Sequence, residues 1–144
     1  MNELPSRPPE LAANGVLARF DALEQMLAAG QLTQVSAATL DRFLAGSGLR
    51  LLMFSGLPKR SSEAQDVAVA LRELIAEHQL PAALIDPADE ADLKERFRVV
   101  VVPSLVLVVD GAPLEVVPGV RDWVDYQRAL GTYLGQPIAL EGLH

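Results

Sequence analysis

Apolar and polar positions along the chain fall into two periods, and the switches between them lay out the elements. Val16, Leu17, Phe20, Leu23, Met26 and Leu27 recur at helical spacing, with Asn14 placed to cap the start and Gly30 suited to a left-handed stop. This pattern predicts a helix over 14–30. A short strand at 32–35 follows, and Ser36 then caps a second helix carrying Leu40, Phe43 and Leu44 up to Gly46. Residues 49–55 hold five apolar side chains in seven, which suits an inner strand of a parallel sheet covered on both faces. After the loop Gly56-Leu57-Pro58-Lys59-Arg60, Ser62 and Gln65 make a capping box. Val67, Leu71, Leu74 and Ile75 form one face of a helix that ends near His78.

Pro81 closes the next connection, 82–85 reads as a second buried strand, and Asp86-Pro87 opens a short acidic helix with core contacts at Leu93 and Phe97. The apolar run Val99–Val109 is about half of the roughly 20 residues a membrane helix needs, and Pro103 and Ser104 interrupt it, so it predicts a buried strand. Asp110-Gly111 is a hairpin turn between antiparallel strands at 104–109 and 114–117. A last helix, capped by Asp122, carries Trp123, Tyr126, Leu130, Tyr133 and Leu134 to Gly135. The order is βαβαββα after one extra N-terminal helix, an α/β architecture with a central mixed sheet flanked by helices. Residues 1–13, with three prolines and no period, predict a flexible lead-in. Residues 14–136 form the single expected domain and 137–144 a tail.

Composition narrows the chemistry. Half of the 144 residues are apolar, enough for a real core, which excludes an intrinsically disordered chain. The net charge of −7 repels nucleic-acid phosphates, excludes a nucleic-acid module as the expected function and opposes aggregation, so a monomer or weak dimer is expected. There is no cysteine, which removes disulfides, thiolate metal sites and dithiol redox chemistry together. The N-terminus lacks the basic start and apolar stretch of a secretory signal, so the expected location is cytoplasmic.

No other constellation for catalysis is visible. Ser61 and Ser62 could be nucleophiles only with a histidine in reach, yet His78 falls about four turns along the same predicted helix, and capping explains both serines. Gly46-Ser47-Gly48 is too short for a phosphate loop and lacks its lysine, and no glycine sits where a calcium loop must turn. No metal and no cofactor are expected. The acids Asp86, Asp89, Glu90, Asp92 and Glu95 read first as a solvated helix face mixed with Lys94, Arg96 and Arg98, and second as carboxylates for a basic peptide. Trp123, the sole tryptophan, reads first as a core anchor and second as an aromatic contact for a partner.

The βαβ unit joined to a ββα unit, with Val102-Pro103 just before the first hairpin strand, resembles the thioredoxin fold over about residues 32–134. Phe97, Pro103, Asp110-Gly111 and Gly119 fall where that fold has its aromatic residue, cis-proline, turn and late glycine. An X-Pro bond alone adopts cis at low cost. The loop Leu57-Pro58-Lys59-Arg60-Ser61-Ser62 stands in place of the Cys-x-x-Cys, and Met53 in place of the buried acid. More narrowly, Leu51 to Ser61, Leu71-Arg72-Glu73-Leu74, Phe97 with the proline strand, and Gly119-Val120-Arg121-Asp122-Trp123 resemble the HyaE/HupG family of NiFe-hydrogenase accessory proteins.

That resemblance implies a non-enzymatic chaperone in hydrogenase maturation, binding the small-subunit precursor and its twin-arginine signal peptide before export. It implies partner contacts at Leu57, Pro58, Lys59 and Arg60, opposite them at Val102, Pro103 and Ser104, and in the last turn at Asp122 and Trp123. Asp89, Glu90 and Asp92 are the carboxylates whose sign suits a twin-arginine segment. Two other classes stay open on the residues: a redox-inactive thioredoxin-like adaptor or assembly subunit for another partner, and an enzyme with an unrecognised site beside Pro103.

Overall fold

A computed structural model describes residues 22–56 and 62–134. The expected lead-in 1–13, the cap Asn14, the loop 57–61 and the tail 137–144 lie outside the described residues. Eleven segments follow in chain order: α1 (Ala22–Ala28), β1 (Thr33–Val35), α2 (Leu40–Leu44), β2 (Leu49–Phe54), α3 (Ser62–His78), β3 (Ala82–Ile85), a 3-10 turn (Pro87–Asp89), α4 (Glu90–Leu93), β4 (Ser104–Val109), β5 (Ala112–Pro118) and α5 (Trp123–Leu134). Among the described residues no helix is long and apolar enough to cross a membrane.

The five strands form one sheet in the order β1-β3-β2-β4-β5. β1 and β2 both run parallel to β3, whereas β4 lies antiparallel to β2 and β5 antiparallel to β4. The sheet is thus mixed, as the sequence predicts. β2 sits at its centre, and because successive side chains of a strand alternate faces, its apolar run fills two cores at once. Leu51 and Met53 pack with Leu23 and Met26 of α1, Leu71 and Leu74 of α3, and Leu130 of α5. Leu52 and Phe54 pack on the other face with Leu40 and Leu44 of α2, Leu93 of α4, Phe97 and Val106. The rings of Phe54 and Phe97 lie 6.1 Å apart at a tilt, and each is fully buried.

Local chemistry sets the turns. Asp110 (φ 51°) and Gly111 (φ 83°) both take the left-handed region that a two-residue hairpin turn between twisted strands requires. The Asp86 side chain accepts the Ala88 N–H at 3.0 Å and Pro87 opens the 3-10 turn, so the acidic segment starts as expected. At the outer edge, Gly119 N–H donates to Pro103 O at 2.8 Å. Alternation from that pair turns Val117 and Glu115 toward β4, and Val116 and Pro118 outward. Pro118 has no N–H to offer there, which blunts the free edge against pairing with another strand.

Three expectations are corrected. Ser36 heads a turn in which its Oγ accepts the Ala38 N–H at 3.2 Å, and α2 itself begins at Leu40. Ser62 already lies inside α3, so it does not cap that helix. The run Val99–Val109 is not one buried strand: β4 begins at Ser104, and Val100, Val101 and Val102 form an exposed loop before it.

Candidate functional site

The candidate surface lies at the end of β2, where the chain leaves the sheet. Ser55 is buried and Gly56 turns with φ 74°, a conformation that a side chain would strain. A Cβ on Gly56 would also come within 3.2 Å of Val102 Cγ2, so the root of the 57–61 loop and the residue before Pro103 face each other directly. Glu90, the first residue of α4, supports this root from below. Its Oε2 accepts the Ser55 N–H at 2.7 Å and the Gly56 N–H at 2.9 Å, and the residue is 7% exposed. Two backbone donors that leave the sheet ladder here are satisfied by one carboxylate.

Facing Gly56 is the Val102-Pro103 peptide, which is cis, as the resemblance implies. Ser104 is fully buried, and its Oγ donates to Val101 O at 2.6 Å. The Gly119–Pro103 hydrogen bond then ties the last turn to this peptide, bringing Val120, Asp122 and Trp123 to the same end of the sheet. Asp122 is exposed and caps α5 through its carbonyl, which accepts the N–H groups of Asp125 and Tyr126. Trp123 is half-buried, packs against the core, and its ring lies 6.4 Å from that of Tyr126. Burial raises the Tyr126 phenol above its ordinary value, partly opposed by the neighbouring Arg121 backbone and charge.

The candidate contacts therefore divide. Leu57, Pro58, Lys59 and Arg60 lie outside the described residues. Val102 and Pro103 form one side of the surface, with Asp122 and Trp123 beside it. Ser104 and Glu90 are corrections: both are buried with their side chains engaged, so Ser104 holds the Val101 carbonyl and Glu90 holds the loop root instead of meeting a partner. Asp89 is drawn off as well, since its Oδ2 accepts the Ala37 N–H at 2.9 Å. Asp92 is exposed. Sequence reasoning missed the exposed Val100 and Val101, for which the signal was present: a proline inside an apolar run marks a break more often than an inner strand. Nothing in the sequence marked Glu90 as a backbone acceptor.

The surface carries little chemistry of its own. Met53 is fully buried in the core where the resemblance implies a missing acid. Ser62 and His78 stand at opposite ends of α3, about 24 Å apart at 1.5 Å per residue, too far for one to act on the other. Among the described residues no three His, Cys, Asp or Glu side chains gather as metal ligands. The arrangement offers a shallow surface of apolar side chains and backbone, suited to holding a polypeptide.

Residues 22–126 match the sequence model of the family described as "Hydrogenase-1 expression protein HyaE". The chain is 38% identical to the hydrogenase expression/formation protein HupG of Bradyrhizobium diazoefficiens over 74% of this chain and 76% of that protein. It is 34% identical to the hydrogenase expression/formation protein HoxO of Cupriavidus necator over 81% of this chain and 75% of that protein. Among solved structures, a mutant thioredoxin from Halobacterium salinarum superposes with a TM-score of 0.61 at 23% identity, covering 72% of this chain and 90% of that one. The last likeness shows the fold.

Proposed function

Since the chain belongs to the HyaE family of hydrogenase expression proteins, we propose that it serves hydrogenase maturation as a non-enzymatic chaperone of the small-subunit precursor, binding its twin-arginine signal peptide in the cytoplasm before export. The observation that carries this reading is the contact between Gly56 and Val102 at the cis Pro103, with exposed valines around it. The chain keeps the cis-proline of a thioredoxin with exposed apolar side chains around it, and the segment 57–62 that stands in place of the dithiol holds no cysteine. A surface that holds but does not react is what such a frame retains when the dithiol is gone.

In this reading Val102 and Pro103, the loop from Leu57 to Arg60, and Asp122 with Trp123 make the contact, and Asp92 is the carboxylate left open to a basic residue. The test is calorimetric titration of the full chain with a synthetic small-subunit signal peptide, alongside capture of the precursor and of the mature subunit lacking the peptide. Saturable binding to peptide and precursor is expected. Binding to neither would sink the chaperone role, and equal binding to the mature subunit would move the partner to its folded surface, as for an adaptor.

A further inference from the structure

We infer that the face beside Pro103 holds the apolar stretch of the bound signal peptide, not its basic residues, an assignment that rests on the reading just proposed. Val100, Val101 and Val102 are 81%, 46% and 37% exposed, three consecutive apolar side chains in one loop. The Gly119–Pro103 hydrogen bond sets Val120, itself 42% exposed, against the same turn. Exposed apolar residues scattered singly need no explanation, but four around one turn mark a docking surface.

The charges at the rim decide what docks. Arg98 is two residues before Val100 and Arg121 directly follows Val120; both are exposed, and neither makes an ion pair among the described residues. The neighbouring cations are engaged, with Arg96 on Asp41 and Arg128 on Asp125, each at 3.1 Å. On the acidic side, the carboxylates of Asp86, Asp89 and Glu90 all accept backbone N–H groups. Asp122, next to Arg121, is exposed as well, so a peptide guanidinium arriving at the valines meets two cations and one carboxylate, a rim that gives it no net attraction. Signal peptides consist of a basic segment followed by an apolar one, so the apolar segment is the part this face fits.

The test titrates the full chain with three synthetic peptides: a small-subunit signal peptide, the same peptide with both arginines changed to glutamine, and one with two apolar-stretch residues changed to aspartate. The glutamine peptide is expected to bind within about twofold of the parent or tighter, and the aspartate peptide at least about tenfold weaker. On the protein, Val100→Asp at so exposed a position keeps the fold, checked by circular dichroism, and is expected to weaken binding at least about fivefold. Arg98→Glu is expected to tighten the parent peptide at low salt and leave the glutamine peptide unchanged. A tenfold loss with the glutamine peptide, or full affinity in Val100→Asp, would overturn this assignment and leave the chaperone reading standing. Failure of all three peptides together with the precursor would overturn both.

Discussion

Replacing Glu90 tests whether the end of β2 is built as described. In Glu90→Ala the buried Ser55 N–H and the half-buried Gly56 N–H both lose their acceptor. An orphaned buried donor costs about 1–3 kcal/mol, and Gly56, nearer to solvent, can recover part of its loss from water. The sum is a destabilisation of about 2–4 kcal/mol. Glu90→Gln keeps one carbonyl acceptor without the charge, and is expected to cost about 1–2 kcal/mol. With a urea m-value near 2 kcal/mol/M, these become midpoint shifts of about 1–2 M and about 0.5–1 M at unchanged m. A shift below about 0.3 M for Glu90→Ala would refute the reasoning, because two short bonds to a carboxylate at this depth cannot be lost for nothing. The glutamine variant separates structure from recognition. If Glu90 instead met a peptide arginine, Glu90→Gln would lose binding with little change in the urea midpoint; the geometry gives the opposite result.

Other outcomes follow from single contacts. Phe97→Ala empties the centre of the second core against Phe54 and is expected to cost about 3–5 kcal/mol in thermal or urea unfolding, with a cost below 1 kcal/mol counting against that packing. Gly111→Val puts a β-branched side chain at φ 83° and is expected to cost about 1–2 kcal/mol, whereas an unchanged melting temperature would contradict the left-handed turn. Tyr126 is held neutral by burial, so the folded chain keeps its proton to higher pH than the unfolded one. The stability from that phenol is complete below about pH 10 and is lost as pH rises through the folded value, so the melting temperature of the wild type should fall relative to Tyr126→Phe only above about pH 10. A constant difference from pH 8 to 11 would remove burial as the cause.

How much of this was legible beforehand depends on the range of the interaction. The three strands at 49–54, 82–85 and 104–109 follow from runs of apolar residues, and the hairpin from Asp110-Gly111, because these signals are local and each residue carries its own part. The cis-proline was implied by the resemblance to the thioredoxin fold, with an X-Pro bond as the one kind that adopts cis at low cost. Glu90 was not. Its partners are 34 and 35 residues away, and a glutamate beside Asp89 and Asp92 looks like a solvated face until the fold carries it under the end of β2. Ser104 shows the same limit on a smaller scale: only the chain reversal at Val101–Ser104 makes it a brace for the loop.

The distribution of charge ties these observations to function. The chain carries 19 acidic and 12 basic residues, so its surface as a whole attracts a basic partner from a distance, an effect that reaches about one Debye length, roughly 8 Å at physiological salt. Close to the valines that attraction is absent: Glu90 is buried, Asp89 holds Ala37, and the exposed ions are Arg98 and Arg121 together with Asp122. Long-range attraction and short-range apolar contact then act on different parts of one peptide. The basic segment is drawn to the chain but not held at the valines, which leaves them to the apolar segment that follows. A uniformly acidic surface would have held the arginines and left the apolar segment in water, where it aggregates. The division also predicts a salt dependence: raising salt should slow association through the screened net charge while changing dissociation little, because the contacts that persist are apolar. Stopped-flow association at 50 and 500 mM salt measures both rates, and a dissociation rate that rises in step with the fall in association would place the arginines at the valines after all.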